Sequence, residues 1–259
     1  MGIRWRVAVT IATVLLIPAA GRPVIAQGAA HDRVVQGDRE YAERRGQGAL
    51  DQYVQALSLD PKYYEALWKA SRVEVDLAEG MAKGHALDSV LASARQHAEA
   101  AVAVNSSDAE GHFSLARALG RKALSVGTTE RIKYSKLVRS EALDALKADS
   151  VHPGALHVLG MWNAEIMRVN GLARAFARTF LGAGVFSLAS WDEAQRLLEL
   201  STRRDPDRIV HRLDLGGIYA DRGDKKRAAE QYEMIAVAPV REINDPLYKS
   251  QAADRLKRL

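Results

Sequence analysis

A degenerate internal repeat limits what this chain can fold into. Gly37, Ala49, Tyr53, Ala56 and Pro61 near one end are echoed at the same internal steps by Gly216, Ala228 and Tyr232 near the other, with Pro239 closing one residue early. A period of about 34 residues, with small residues where two helices cross and a proline closing the unit, specifies an antiparallel helical hairpin. One hairpin cannot bury its apolar face alone, whereas stacked neighbours share a continuous core. The expected architecture is therefore an all-α solenoid.

Small residues in the first helix and alanine-like residues in the second place five hairpins. The anchor pairs are Gly37 with Ala49, Ser71 with Ala94, Ala116 with Val138, Gly160 with Ala194, and Gly216 with Ala228. The outer pairs are 12 residues apart and the inner three 23, 22 and 34, so insertions of 11, 10 and 22 residues separate the inner helices. An insertion of about 11 residues is three turns, which longer helices absorb without losing phase. The glycines of Glu79-Gly80 and Lys83-Gly84 favour a loop instead. Terminators at Pro61, Ser106, Ser150 and Pro206 give hairpins near 33–61, 63–106, 109–150, 153–206 and 208–240. Asp245-Pro246, a capping oxygen before a proline, opens a C-terminal capping helix over 246–259.

The first 26 residues are set apart from the repeat. Arg4 and Arg6 precede an apolar run from Val7 to Ile17, Pro18 and Gly21 break it, and Val24-Ile25-Ala26 offers a small-residue cleavage site. This is a secretory signal pattern, with cleavage expected after Ala26 and a single repeat domain over 27–259. The run falls short of the roughly 20 residues a spanning helix needs. An exported chain, in a bacterial periplasm, is the expected localisation. Removing Arg4, Arg6 and Arg22 lowers the basic count from 37 to 34 against 32 acids, so the net charge falls from +5 to +2 and nucleic acid is not an expected partner. With no cysteine in the chain, disulfides, thiolate metal sites and cysteine nucleophiles are excluded.

From Pro153 onward the chain resembles a known family. Gly154-Ala155-Leu156-His157-Val158-Leu159-Gly160-Met161-Trp162, Ser190-Trp191-Asp192-Glu193-Ala194, the Asp205-Pro206 turn, Leu215-Gly216-Gly217-Ile218-Tyr219 and the Pro239-to-Asp245 stretch are similar to segments of the regulator of microtubule dynamics family and its bacterial tetratricopeptide (TPR) relatives. The similarity covers roughly the last 110 residues by motif and the rest by repeat phase. It implies a tetratricopeptide-like fold and a binding, non-catalytic role; a cytoskeletal role does not transfer to an exported chain. The family commonly shows Gly-Arg-Trp where this chain has Gly160-Met161-Trp162, so no role for that arginine carries over.

In such an array the first helices line a concave groove. Trp68, Phe113, His157 and Leu213 form one column there, and Arg72, Arg117, Met161 and Gly217 stand four residues further on the same face, with Lys69 and Arg121 adding positive charge. Aromatic rings beside guanidinium groups suit an acidic peptide or a free C-terminal carboxylate. Ordinary packing and a solvated charged face are the competing account. A second candidate is the insertion from Asn170 to Ala189, where Leu172, Phe176 and Phe180 recur every fourth residue with Arg174 and Arg178 on another face. This amphipathic pattern could meet a membrane surface or a hydrophobic ligand, although burial against the next hairpin is the preferred account. The seven histidines form no pair at helical ligand spacing, so no metal or other cofactor is expected. No nucleophile elbow, phosphate loop or dinucleotide fingerprint occurs, and the chain is not expected to be an enzyme.

Overall fold

The computed structural model describes residues 21–171 and 184–259, together with Ala175 and Thr179. Among these, eleven α-helices follow one another: α1 Gly21–Ala42, α2 Gly46–Leu59, α3 Tyr64–Ala78, α4 His85–Val104, α5 Ala109–Ser125, α6 Thr128–Ala148, α7 Pro153–Arg168, α8 Trp191–Arg204, α9 Ile209–Asp221, α10 Lys225–Val237 and α11 Asp245–Leu256. No strand occurs among the described residues. Each odd-numbered helix up to α9 packs against its successor, giving five hairpins, and α3, α5, α7 and α9 also touch in sequence. The fold is an all-α TPR-like solenoid.

The two inner insertions of similar length are absorbed differently. Between α5 and α6 only a short turn intervenes, because the helices themselves lengthen, α6 to 21 residues against 14 in α2. Between α3 and α4 part of the extra chain forms the Glu79–Gly84 loop, and Gly84 takes a φ of 152° that a side chain would disfavour. Each second helix stops just short of the terminator assigned above. Its last helical turn is followed by Asp60, Asn105, Asp149 or Asp205 in non-helical backbone. The first three of these accept from the amide two residues on: Lys62 N to Asp60 at 3.0 Å, Ser107 N to Asn105 at 3.2 Å, Val151 N to Asp149 at 3.0 Å. These are Asx turns, in which a short side chain takes over from the helix.

Hairpins close on small residues meeting large ones. A Cβ on Gly37 would stand 2.5 Å from Cε1 of Tyr53, and a Cβ on Gly216 the same 2.5 Å from Cε1 of Tyr232. The crossing partner of Gly216 is thus Tyr232 rather than Ala228, although Ala228 is buried in the same cluster. At the next junction Gly154 receives the Phe113 ring, which would lie 2.3 Å from a Cβ there.

The chain's C-terminal end differs from a simple polar cap. Asn244, not Asp245, holds the position before α11, and the Asp245 carboxylate turns back to accept from the amides of Arg241 at 2.7 Å and Glu242 at 2.8 Å. This fixes the 241–245 bend around a carboxylate that is itself fully buried. Tyr248 and Ala252 pack on the α9–α10 core, with Leu256 and Leu259 at its margin. The bend itself crosses to the opposite end of the array, where the Asn244 side-chain amide donates to the backbone carbonyl of Asp76 at 2.9 Å.

Candidate functional site

The inner face of the first three hairpins holds most of the groove residues named from the sequence, and their contacts sort them. Arg117 donates to the Asp76 carboxylate at 2.7 Å, and Tyr41 donates to the other oxygen of Asp76 at 2.8 Å. Both charges are largely buried, with side-chain exposures of 19% for Arg117 and 9% for Asp76. Burial alone would disfavour a charged guanidinium; the attraction of Asp76 outweighs it and keeps Arg117 protonated. Burial first, then the Asp76 carboxylate, pushes the Tyr41 hydroxyl up, with Arg72 pulling the other way.

Several cations assigned to partner binding are thereby committed within the fold. Lys69 is buried and bridges Asp38 at 2.8 Å and Glu65 at 3.0 Å. Arg121 donates to the carbonyls of Ala78 and Glu79 at 3.0 and 2.7 Å, closing the C-terminal end of α3. His157 meets Asp214 at 2.9 Å and stacks on His211, and Met161 packs against the C-terminal core. Phe113 is buried against Ala109, Ala145 and Ala155, so it is a packing residue between hairpins and not an exposed aromatic of the groove. Two acidic residues of α9 are likewise internally paired, Asp214 with His157 at 2.9 Å and Asp221 with Arg168 at 2.7 Å.

Arg72 stands apart. Its guanidinium lies 4.1 Å from the centre of the Tyr41 ring and 5.2 Å from that of half-buried Trp68, and among the described residues it makes no ion pair with a carboxylate. Its Nε is buried without a hydrogen-bond partner, as is one terminal nitrogen of Arg117. A cation held between two ring faces is oriented without being neutralised, because the rings offer a quadrupole and not a charge. The Arg72 guanidinium also acts on the Tyr53 hydroxyl, which donates to Asp38 at 2.8 Å.

Tyr41, Asp38 and Asp76 complete this face and were not singled out from the sequence. Asp76 stands four residues after Arg72, and Asp38 follows Gly37 as Arg72 follows Ser71, so both occupy the register of the basic column. The register is legible in the sequence, although the charge at these two positions is of the opposite sign.

The insertion candidates Leu172, Phe176 and Phe180 lie outside the described residues. The C-terminal part of the insertion is a 3-10 helix, Gly184–Leu188, whose Phe186 is buried edge-on against Trp162. Beside it a cleft of about 400 Å³ opens between α6, α7 and α8, with Trp162, Leu143 and Leu159 below, and Arg139 5.5 Å from the centre of the Trp162 ring. Among the described residues no helix is long and apolar enough to cross a membrane.

One group of ligand-type atoms is brought together that sequence spacing does not reveal. His112 of α5 and Glu141 and Asp144 of α6 place one such atom each within 4.8 Å of one another. Those residues are engaged by the protein itself: His112 with Glu141 at 2.7 Å and with the Ser106 carbonyl at 3.1 Å, Asp144 with Lys147 at 2.6 Å. The donor set reads as a bridge between the two helices.

Comparison with known proteins agrees with this architecture. The thermophilic TPR protein TTC0263 of Thermus thermophilus superposes with a TM-score of 0.64 at 18% identity, covering 87% of this chain and 99% of its own. PilF of Pseudomonas aeruginosa superposes with a TM-score of 0.53 at 14% identity, covering 92% of this chain and 93% of its own. At such identities the likeness is one of fold. No curated protein matches the chain. The profile of the family described as regulator of microtubule dynamics protein 1-3 matches residues 29–259. The chain is therefore a TPR-repeat protein that belongs to the regulator of microtubule dynamics protein 1-3 family.

Proposed function

We propose that this chain is an exported, non-catalytic scaffold that binds a protein or peptide on the inner face of its solenoid, with Arg72 receiving an acidic side chain or a free C-terminal carboxylate. The observation that carries the reading is the state of Arg72: ring-stacked between Tyr41 and Trp68 and without a carboxylate partner, while Arg117, Lys69 and Arg121 are committed within the fold. A pre-oriented, partly desolvated guanidinium gains more from a carboxylate than a freely solvated one. The TPR architecture supports a protein-binding role, and the Arg4, Arg6 and Val7–Ile17 pattern supports export to a periplasm.

The test is capture from an envelope extract by the tagged chain, comparing wild type with Arg72→Gln. Gln keeps the stem over the rings and removes the charge. Selective loss of captured proteins, with unchanged helix content, is the expected result, and wild-type capture should weaken with added salt. Undiminished capture by Arg72→Gln would reject Arg72 as the anchor. Export is checked by N-terminal sequencing of the protein from the periplasmic fraction, expected to begin at Gln27.

A further inference from the structure

The margin of the inner face, at Arg44, Gly46, Leu77 and the Asp76 carbonyl, is in contact with a segment of the chain itself. Between α10 and α11 the run Val240–Asn244 crosses to the first two hairpins. Arg44, at the α1–α2 turn, donates to the Val240 carbonyl at 3.4 Å. Ile243 sits over Gly46 beside Leu77: a Cβ on that glycine would be 2.9 Å from Cδ1 of Ile243 and 3.0 Å from Cδ2 of Leu77. Asn244 donates to the carbonyl of Asp76, the residue whose carboxylate holds Arg117 and Tyr41. Glu242 meets Arg208 at 3.2 Å, and Tyr248 is buried where the charges of Glu79, Arg117 and Asp76 all act on it.

These contacts are those a bound peptide makes. The segment is non-helical, one of its carbonyls accepts from an arginine of the first hairpin, an aliphatic side chain enters a small apolar seat, and an amide side chain reads a backbone carbonyl. Main-chain hydrogen bonds and side-chain seats are the contacts by which grooves hold peptides, and here they hold a bent one, turned at 242–244. The sequence separation between Asn244 and Asp76 is 168 residues, so the contact ties the last hairpin to the first two.

We propose that Val240–Asn244 is an intramolecular ligand of the inner face, and that a partner gains Arg72 and its surroundings by displacing it. This rests on the reading that the inner face binds partners, and adds its regulation. A tethered segment is present at high effective concentration, so only the fraction of molecules with it released is competent, and apparent affinity falls by that fraction. Weakening the segment's contacts raises the competent fraction without touching Arg72.

The test uses the purified full chain and, as probe, a fluorescein-labelled synthetic peptide of residues 238–250, followed by anisotropy. The Ile243→Ala/Asn244→Ala variant loses the aliphatic seat and the amide hydrogen bond on the tethered copy only. It is expected to bind the peptide at least about tenfold more tightly than wild type, the factor that roughly 1.4 kcal/mol represents. The same peptide carrying Asn244→Ala should bind this variant markedly less well. Where the double variant loses helix content, Asn244→Ala alone, which keeps the isoleucine in its seat, takes its place, and wild-type affinity for the peptide then counts against the proposal. Equal affinity of wild type and loosened variant, or no binding to either, overturns it. Since the probe is the chain's own sequence, this result is independent of the Arg72→Gln capture assay: the tether can stand where the partner reading falls, and the reverse.

Discussion

Replacing Gly216 by alanine isolates the close helix crossing on which the hairpin reading depends. The added Cβ would stand 2.5 Å from Cε1 of Tyr232 and 3.0 Å from its Cδ1 and Cζ, and that ring is only 2% exposed. Carbon atoms rest at about 3.5 to 4.0 Å, so the ring must retreat by roughly an ångström into filled core. Overpacking of this sort costs about 1 to 3 kcal/mol. Against it, alanine in a helix interior is favoured over glycine by about 1 kcal/mol. The two terms have to be separated, and a second glycine does so. Gly120, inside α5, has Val138 Cγ2 at 3.9 Å as the nearest atom to its would-be Cβ, an ordinary contact.

Gly120→Ala carries the propensity gain without the clash, so the difference between the two variants is the overpacking alone. For a chain of this size each kcal/mol moves the melting temperature by about 2 to 4 °C. Differential scanning calorimetry should place Gly216→Ala below Gly120→Ala by several degrees, and Gly37→Ala, 2.5 Å from Tyr53 Cε1, should behave like Gly216→Ala. Tyr232→Leu in the Gly216→Ala background should recover part of the loss, since contacting residues couple. If Gly216→Ala melts at or above Gly120→Ala, the ring is not packed against that helix and the repeat register is wrong.

Three further outcomes follow from other contacts. Arg117→Ala leaves the buried Asp76 carboxylate with Tyr41 alone and should cost about 3 kcal/mol in urea denaturation, part of it restored by adding Asp76→Asn. Asp108→Ala removes both the cap on the Glu110 amide at 2.9 Å and the acceptor of the Tyr64 hydroxyl at 2.7 Å; a loss of about 1 to 2 kcal/mol is expected by the same assay. Burial, with His157 and Arg208 adding to it, holds the His211 imidazole well below its ordinary 6.5. The unfolded chain therefore takes up a proton that the folded chain refuses, so stability present above about pH 6.5 declines as the pH falls below it, by at most about 1.4 kcal/mol per unit. Urea midpoints measured from pH 7 to pH 5 should fall less steeply in His211→Gln.

The repeat phase was legible because it is carried by side-chain size: Gly37 and Gly216 must admit Tyr53 and Tyr232, and no other residue leaves the room. The inner-face column was legible as a register but not as a surface. Phe113 and Arg72 share the helical-face logic, yet one fills the space above Gly154 and the other stays between two rings, and only the angle between neighbouring hairpins decides which. Asp245 gave the wrong cap for a related reason. An aspartate before a proline signals a helix start, and the local pattern has no means of showing that its carboxylate is needed by the amides of Arg241 and Glu242. Pairings such as His112 with Glu141 or Asn244 with Asp76 join residues 29 and 168 positions apart, where no periodicity reaches.

The return of the chain to its own first hairpins changes how the array holds together. An open solenoid is stabilised by each hairpin and its neighbours, so its ends fray independently. Here the bend at Arg241–Asp245 is fixed by the buried Asp245 carboxylate, and it delivers Ile243 and Asn244 to Leu77 and Asp76 already oriented. The entropy of closing so long a loop is met by the packed hairpins between, and the contact itself has only to exceed its local ordering cost. Two hydrogen bonds and one partly buried isoleucine supply a few kcal/mol at most. That is enough to bias the ends toward staying together, and little enough for a competing ligand of modest affinity to part them. Fraying of α1–α2, read by hydrogen exchange, should then increase in Asn244→Ala although the substitution lies in the last hairpin's connection, whereas equal protection would show that the two ends are energetically independent.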